Sequence, residues 1–111
     1  MDNKEIDPNL AIDYIIKNAK TFAKAKAQRV YLEEYRKSLK SILMKGSSED
    51  TIGGQEREAY ASQQYLQLLA GLKEAVEIEE KLRWDLIAAQ ARIDVWRSQE
   101  ASNRMMDRAT Q

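Results

Sequence analysis

The residues able to do chemistry fall into two blocks. Between Lys17 and Lys45 stand nine basic residues against Glu33 and Glu34, with Tyr31 and Tyr35 among them. Cations interleaved with aromatic rings can grip single-stranded nucleic acid, the charges tracking phosphates and the rings stacking on bases. Lys17, Lys20 and Lys24 share one side of a helix, while Arg29, Arg36 and Lys40 cluster on another. These six residues are the candidate surface for nucleic acid or a protein partner. Between Glu49 and Asp85 the balance reverses, with nine acidic residues against Arg57, Lys73, Lys81 and Arg83. Two neighbouring helices of opposite charge would satisfy each other, which is the competing reading of the same pattern. A formal net charge of zero favours it, because nucleic-acid binders usually carry a general basic field.

Little else can react. The chain has no histidine and no cysteine. That excludes a Ser-His-Asp arrangement, a histidine base, thiolate chemistry and a disulfide framework. Glu77, Glu79 and Glu80 form an acidic cluster, but a helical di-iron site needs a Glu-x-x-His spacing that is absent, so a solvated acidic face is expected. Ile52-Gly53-Gly54 lacks the spacing of a phosphate loop and reads as a flexible turn. No catalytic residue, metal or cofactor is implied, and the chain reads as a non-enzyme.

The elements that must position these side chains are long helices. Ala, Leu, Glu, Lys, Gln and Arg dominate, with one proline and four glycines in 111 residues. Asp7-Pro8 is a helix start, and helix 1 is expected over about 8–45, with Gly46 taking a left-handed stop. A loop over 46–54 and a short helix over about 55–61 follow. Ser62 is a candidate cap for helix 2, expected over about 62–106, on the order of 65 Å long. Residues 107–111 are expected to fray. The second half carries a heptad seam: Leu68, Leu72, Ala75, Glu79, Leu82, Leu86, Ala89, Ile93, Trp96 and Glu100. Such 4-3 spacing keeps one edge of a helix against a partner helix. The fold class is therefore all-α: one domain, a long antiparallel helical hairpin with a short extra helix near the loop.

Helix 1 offers its own series, Ile12, Ile16, Ala19, Ala23, Lys26 and Val30. Antiparallel pairing sets Ile12 against Ile93 and Lys26 against Glu79, either a register peg or two outward-snorkelling edge charges. Beyond Val30 the apolar residues Leu32, Tyr35, Leu39, Ile42 and Leu43 change face. Helix 1 must bend near Arg29–Tyr31, or its second half meets the short helix or another subunit.

Helix 2 is apolar on a second side as well, through Trp84, Ala88, Ala91 and Val95. A helix apolar on opposite sides belongs inside a bundle. Together with Trp96 these residues are the candidate oligomerisation set, and a homodimer completing a helical bundle is expected. Met105 and Met106 suit an adaptable partner contact or a frayed end.

No apolar run approaches the roughly 20 residues of a bilayer span, and Met1–Pro8 is too polar for a secretory signal. A cytoplasmic protein without membrane contact is expected. The stretches Lys24–Lys40 (KAKAQRVYLEEYRKSLK), Gln55–Ala61 (QEREAYA), Leu68–Val76 (LLAGLKEAV) and Leu82–Arg104 (LRWDLIAAQARIDVWRSQEASNR) resemble small all-helical proteins encoded in early regions of tailed bacteriophages. That resemblance implies a bacterial host cell and a setting near replication and recombination genes. It implies no catalytic residues. The function expected from it is binding and modulation of a phage or host protein of DNA metabolism or defence. A nucleic-acid-binding accessory protein using the basic face is the alternative.

Overall fold

A computed structural model describes residues 5–110. The described residues form three α-helices and no strand: α1 (Pro8–Lys45), α2 (Ile52–Ala61) and α3 (Gln63–Thr110). The chain is all-α. The expectations that touch Met1–Lys4 and Gln111 lie outside the described residues.

The ends of the helices follow from local chemistry. The Asp7 carboxylate accepts the Asn9 N–H at 2.9 Å, and Pro8 supplies the first helical φ. At the other end the expected left-handed Gly46 is corrected, since no described glycine has a positive φ. Instead the Gly46 and Ser47 N–H groups bond back to Ile42 and Met44. The Ser47 hydroxyl then accepts the Glu49 N–H at 3.1 Å, so a side chain turns the chain where a glycine was expected to.

Ile52-Gly53-Gly54 is a helix start, contrary to the flexible turn expected. Thr51 stands in extended conformation as N-cap, its hydroxyl accepting the Gly54 N–H at 3.0 Å. The cap offsets the cost of two glycines, so α2 begins three residues before the expected boundary. Ser62, at φ −68° and ψ 150°, separates α2 from α3 and accepts the Tyr65 N–H at 3.1 Å. α3 continues through 107–110, which were expected to fray.

The chain divides into two compact units, Met1–Phe22 with Lys81–Gln111, and Ala23–Glu80. We call them the terminal unit and the central unit. Every member of the α3 seam is buried or half-buried: Leu68 to Glu79 in the central unit, Leu82 to Glu100 in the terminal one. The α1 series is corrected. Ile12, Ile16, Ala19, Ala23, Lys26 and Val30 are all exposed. The row withdrawn from solvent is offset by one residue: Ala11, Ile15, Asn18 and Phe22, then Ala25, Arg29, Leu32, Arg36, Leu39 and Leu43. It keeps a single 4-3 spacing, so α1 needs no change of face and runs unbroken. Three members are polar, and a search for apolar residues passes over them. Asn18 and Arg29 are accommodated by chemistry that hydropathy ignores. Asn18, for example, donates its amide to the Tyr14 carbonyl at 2.8 Å.

Candidate interaction surfaces

The central unit is held by an ion pair and aromatic rings. Glu79, 1% exposed, lies in the inner row of α3. Arg29, in the inner row of α1, meets it with a planar fork: Nε donates to Oε2, and Nη2 to Oε1 at 3.1 Å. Its remaining Nη1 donates to Glu33 Oε2 at 3.0 Å. The bond to Glu79, then that to Glu33, raises the already high pKa of the guanidinium. The expected register pair is thereby corrected. Glu79 is internal and ion-paired, but to Arg29. Lys26 lies exposed, on the outer side with Ile12 and Ile16. An error of one residue in the α1 row became a shift of one turn in the partner. Only arginine offers the bidentate geometry found here.

One end of the same unit carries α2. Lys40 Nζ donates to Glu56 Oε1 at 3.1 Å and lies 4.9 Å above the centre of the Tyr60 ring. Its pKa is raised, first by the Tyr60 hydroxyl and then by Glu56. Tyr60 meets the buried Tyr65 edge-on, centroids 5.1 Å apart. Thus α2 folds over the end of α1, one of the two coverings that the sequence left open.

The six candidate basic residues do not form one surface. Arg29 and Lys40 are engaged with carboxylates of the acidic block. Arg36 is half-buried in an open cleft beside Lys37, Lys40, Tyr60 and Tyr65. Lys24 is exposed in the central unit, as are Lys17 and Lys20 in the terminal unit. Tyr31 and Tyr35 stack, rings within 6° of parallel and 6.0 Å apart, and both remain exposed. For Arg29 and Lys40 the charge asymmetry of the sequence is intramolecular complementarity.

The terminal unit packs differently. Its most buried residues are two alanines, Ala11 and Ala89. Phe22 lies under the Arg83 guanidinium, 5.3 Å from ring centre to carbon. Lys81 Nζ donates to Asp85 Oδ2 at 2.8 Å. That bond raises the Lys81 pKa and holds the Asp85 carboxyl below its ordinary range, with a smaller contribution from the Tyr14 hydroxyl. Tyr14, Lys81, Asp85, Ala88 and Arg92 line part of an open cleft of about 780 Å³.

The oligomerisation set divides by side. Trp84 is 63% exposed and Val95 47%, with Ala88 and Ala91 exposed between them, whereas Trp96 is half-buried in the inner row. Ile87, which the sequence reading did not single out, adds to the exposed side. Its signal was available: it stands three residues after Trp84 and four before Ala91. Residues 101–110 are exposed all round, Met105 and Met106 included.

Among the described residues no helix is long and apolar enough to cross a membrane. Nor is any group of three or more acidic side chains there arranged to hold a metal ion. Compared with protein-family models, with curated proteins and with solved structures, the chain matches none of them.

Proposed function

We propose that this chain is a non-enzymatic, phage-encoded interaction protein. It is a helical hairpin that associates with itself and binds a phage or host protein of DNA metabolism or defence in the bacterial cytoplasm. The observation that carries the reading is where the apolar residues lie. Among the described residues eighteen large apolar or aromatic side chains are exposed, whereas the buried apolar set is four alanines and Tyr65. Helices dressed this way gain by covering one another or a partner, and a rigid helical face can block or recruit a machine without doing chemistry. The phage setting rests on the resemblance of residues Lys24–Lys40 and Leu82–Arg104 described above.

The test has two arms. Light scattering should give about twice the 12.8 kDa chain mass at micromolar concentration. Tagged chain in infected-cell lysate should retain a protein of replication, recombination or defence, and lose it when Ile12 and Ile16 become lysine. A monomer that retains nothing overturns the reading.

A second reading, a nucleic-acid accessory protein, draws on the exposed Tyr31–Tyr35 stack and on the exposed Lys17, Lys20 and Lys24. Replacing those three lysines by glutamate should abolish binding of single strands and flatten its salt dependence. Wild-type chain that binds no single strand at low salt removes it.

A further inference from the structure

We infer that a second copy of this chain covers the outer side of α3 in antiparallel orientation, Ala88 of one copy opposite Ala91 of the other. The inference rests on the self-association proposed above and adds its face, direction and register.

The face is a second heptad row. Trp84, Ala88, Ala91 and Val95 follow at spacings of four, three and four. They stand two positions on from the inner row of Leu82, Leu86, Ala89 and Ile93. Two positions are about 200° around the helix, so the row lies on the opposite side. It is large at both ends and small in the middle. A parallel mate would set Trp84 on Trp84 and alanine on alanine, crowding one layer and starving the next. An antiparallel mate sets each Trp84 on the Val95 of the other copy. The alanines then meet at the centre, where two backbones can approach closely.

The flanking charges select the same arrangement. Asp85 and Arg92 occupy one edge of the row, Ile87 and Asp94 the other. In an antiparallel pair like edges face each other. With Ala88 opposite Ala91, Asp85 of each copy faces Arg92 of the other, twice by symmetry. Sliding one heptad in one direction sets Arg92 on Arg92 and Asp94 on Asp94. Sliding one heptad in the other sets Asp85 on Asp85. In a parallel pair Arg92 would face Ile87. Arg92 has no ion-pair partner among the described residues. Asp85 accepts from Lys81 at Oδ2, also meets the Tyr14 hydroxyl, and is still 39% exposed at the side chain.

The chain has no cysteine, so single thiols report geometry cleanly. Mixed Ala88→Cys and Ala91→Cys chains should form the 88–91 disulfide on mild oxidation in preference to either homodisulfide. Asp85→Arg and Arg92→Asp should each weaken the dimer about tenfold or more, and their equimolar mixture should recover wild-type affinity as a heterodimer. Arg92→Asp is the arm that disturbs no ion pair within the described chain, and circular dichroism should show unchanged helix content. A dimer giving only 88–88 and 91–91 disulfides, or no recovery in the mixture, overturns this register while self-association stands. A wild-type monomer at 100 µM overturns both.

Discussion

The two units solve one problem, how long helices stay together, with different materials. The central unit spends charge and aromatic area inside itself: Arg29 on Glu79, Lys40 on Glu56 and Tyr60, and Tyr60 on a buried Tyr65. The terminal unit buries alanines and leaves Trp84, Ile87, Val95, Ile12 and Ile16 facing out. The first joins its inner rows with a bidentate ion pair, yet among its described residues ten large apolar or aromatic side chains stay exposed, Ile52 at 72% and Tyr31 at 62% among them. Among its described residues the second leaves eight such side chains exposed and has no buried ion pair, so the units differ in how their inner rows are joined and not in how much apolar surface they show. The lesson is that two stretches of the same pair of helices can be joined by different chemistry. In one unit a charged fork joins α1 to α3; in the other, two buried alanines and a ring under a guanidinium take its place.

That contrast breaks first at Arg29. A buried carboxylate stripped of its bidentate partner is costly, whereas removing both charges together often is not. Arg29→Ala should therefore cause the largest loss in the molecule, a fall in Tm on the order of 10 °C or more. Arg29→Met with Glu79→Leu should recover most of it. A single variant that melts with the wild type would mean that the fork holds nothing.

The next comparison sets one aromatic from each unit side by side. Tyr65→Ala removes a buried ring and should cost about 3 kcal/mol in denaturant unfolding. Trp84→Ala removes an exposed one and should cost the isolated chain less than about 1 kcal/mol. It should nevertheless lower dimer affinity measured by sedimentation. If Trp84→Ala destabilises a dilute sample as much as Tyr65→Ala does, the Trp84 ring is packed within the chain rather than facing out.

Much of this fold was legible before any coordinates. Helix ends were readable where a side chain names them, as at Asp7-Pro8 and Ser62. The α3 inner row was readable because eight of its ten members are apolar and evenly spaced. The α1 row was not, because Asn18, Arg29 and Arg36 occupy inward positions while Ile12, Ile16 and Val30 point outward. Hydropathy scores a half-buried arginine such as Arg29 as a surface residue, and only its partner's position reveals otherwise. The pairing of Arg29 and Lys40 was hidden for the same reason: spacing along a helix shows which cations share a side, not which ones already hold a carboxylate. Trp84, Ala88, Ala91 and Val95 were legible as a second row, since two apolar sides on one helix need no coordinates to detect.

Glycines test the finish of the central unit on a smaller scale. Gly71 stands inside α3 with nothing within 4 Å of the place a Cβ would take. Gly71→Ala should stabilise by about 0.5–1 kcal/mol through helix propensity alone. Gly54 is the opposite case. A Cβ there would sit 3.0 Å from Thr51 Oγ1, the group that caps α2, and 3.1 Å from Glu49 Oε2. Gly54→Ala should gain less than Gly71→Ala or lose stability. Equal gains at both sites would mean that the Thr51 cap is dispensable.

The smallest effect separates the units by pH. The Lys81 bond lowers the Asp85 pKa in the folded chain below its ordinary value near 3.8. A depressed carboxylate contributes stability that is present above its unfolded pKa and lost as pH falls through the folded one. The terminal unit should therefore loosen below about pH 4, and Asp85→Asn should blunt that loss. The raised Lys40 pKa works with the opposite sign. Its contribution to the central unit is complete below the ordinary lysine value near 10.5 and fades only as pH rises beyond it. Hydrogen exchange at Ala88–Ile93 should thus quicken as pH falls to about 3, and quicken less in Asp85→Asn. Equal quickening in the two chains would mean that the Lys81–Asp85 bond carries none of the acid response.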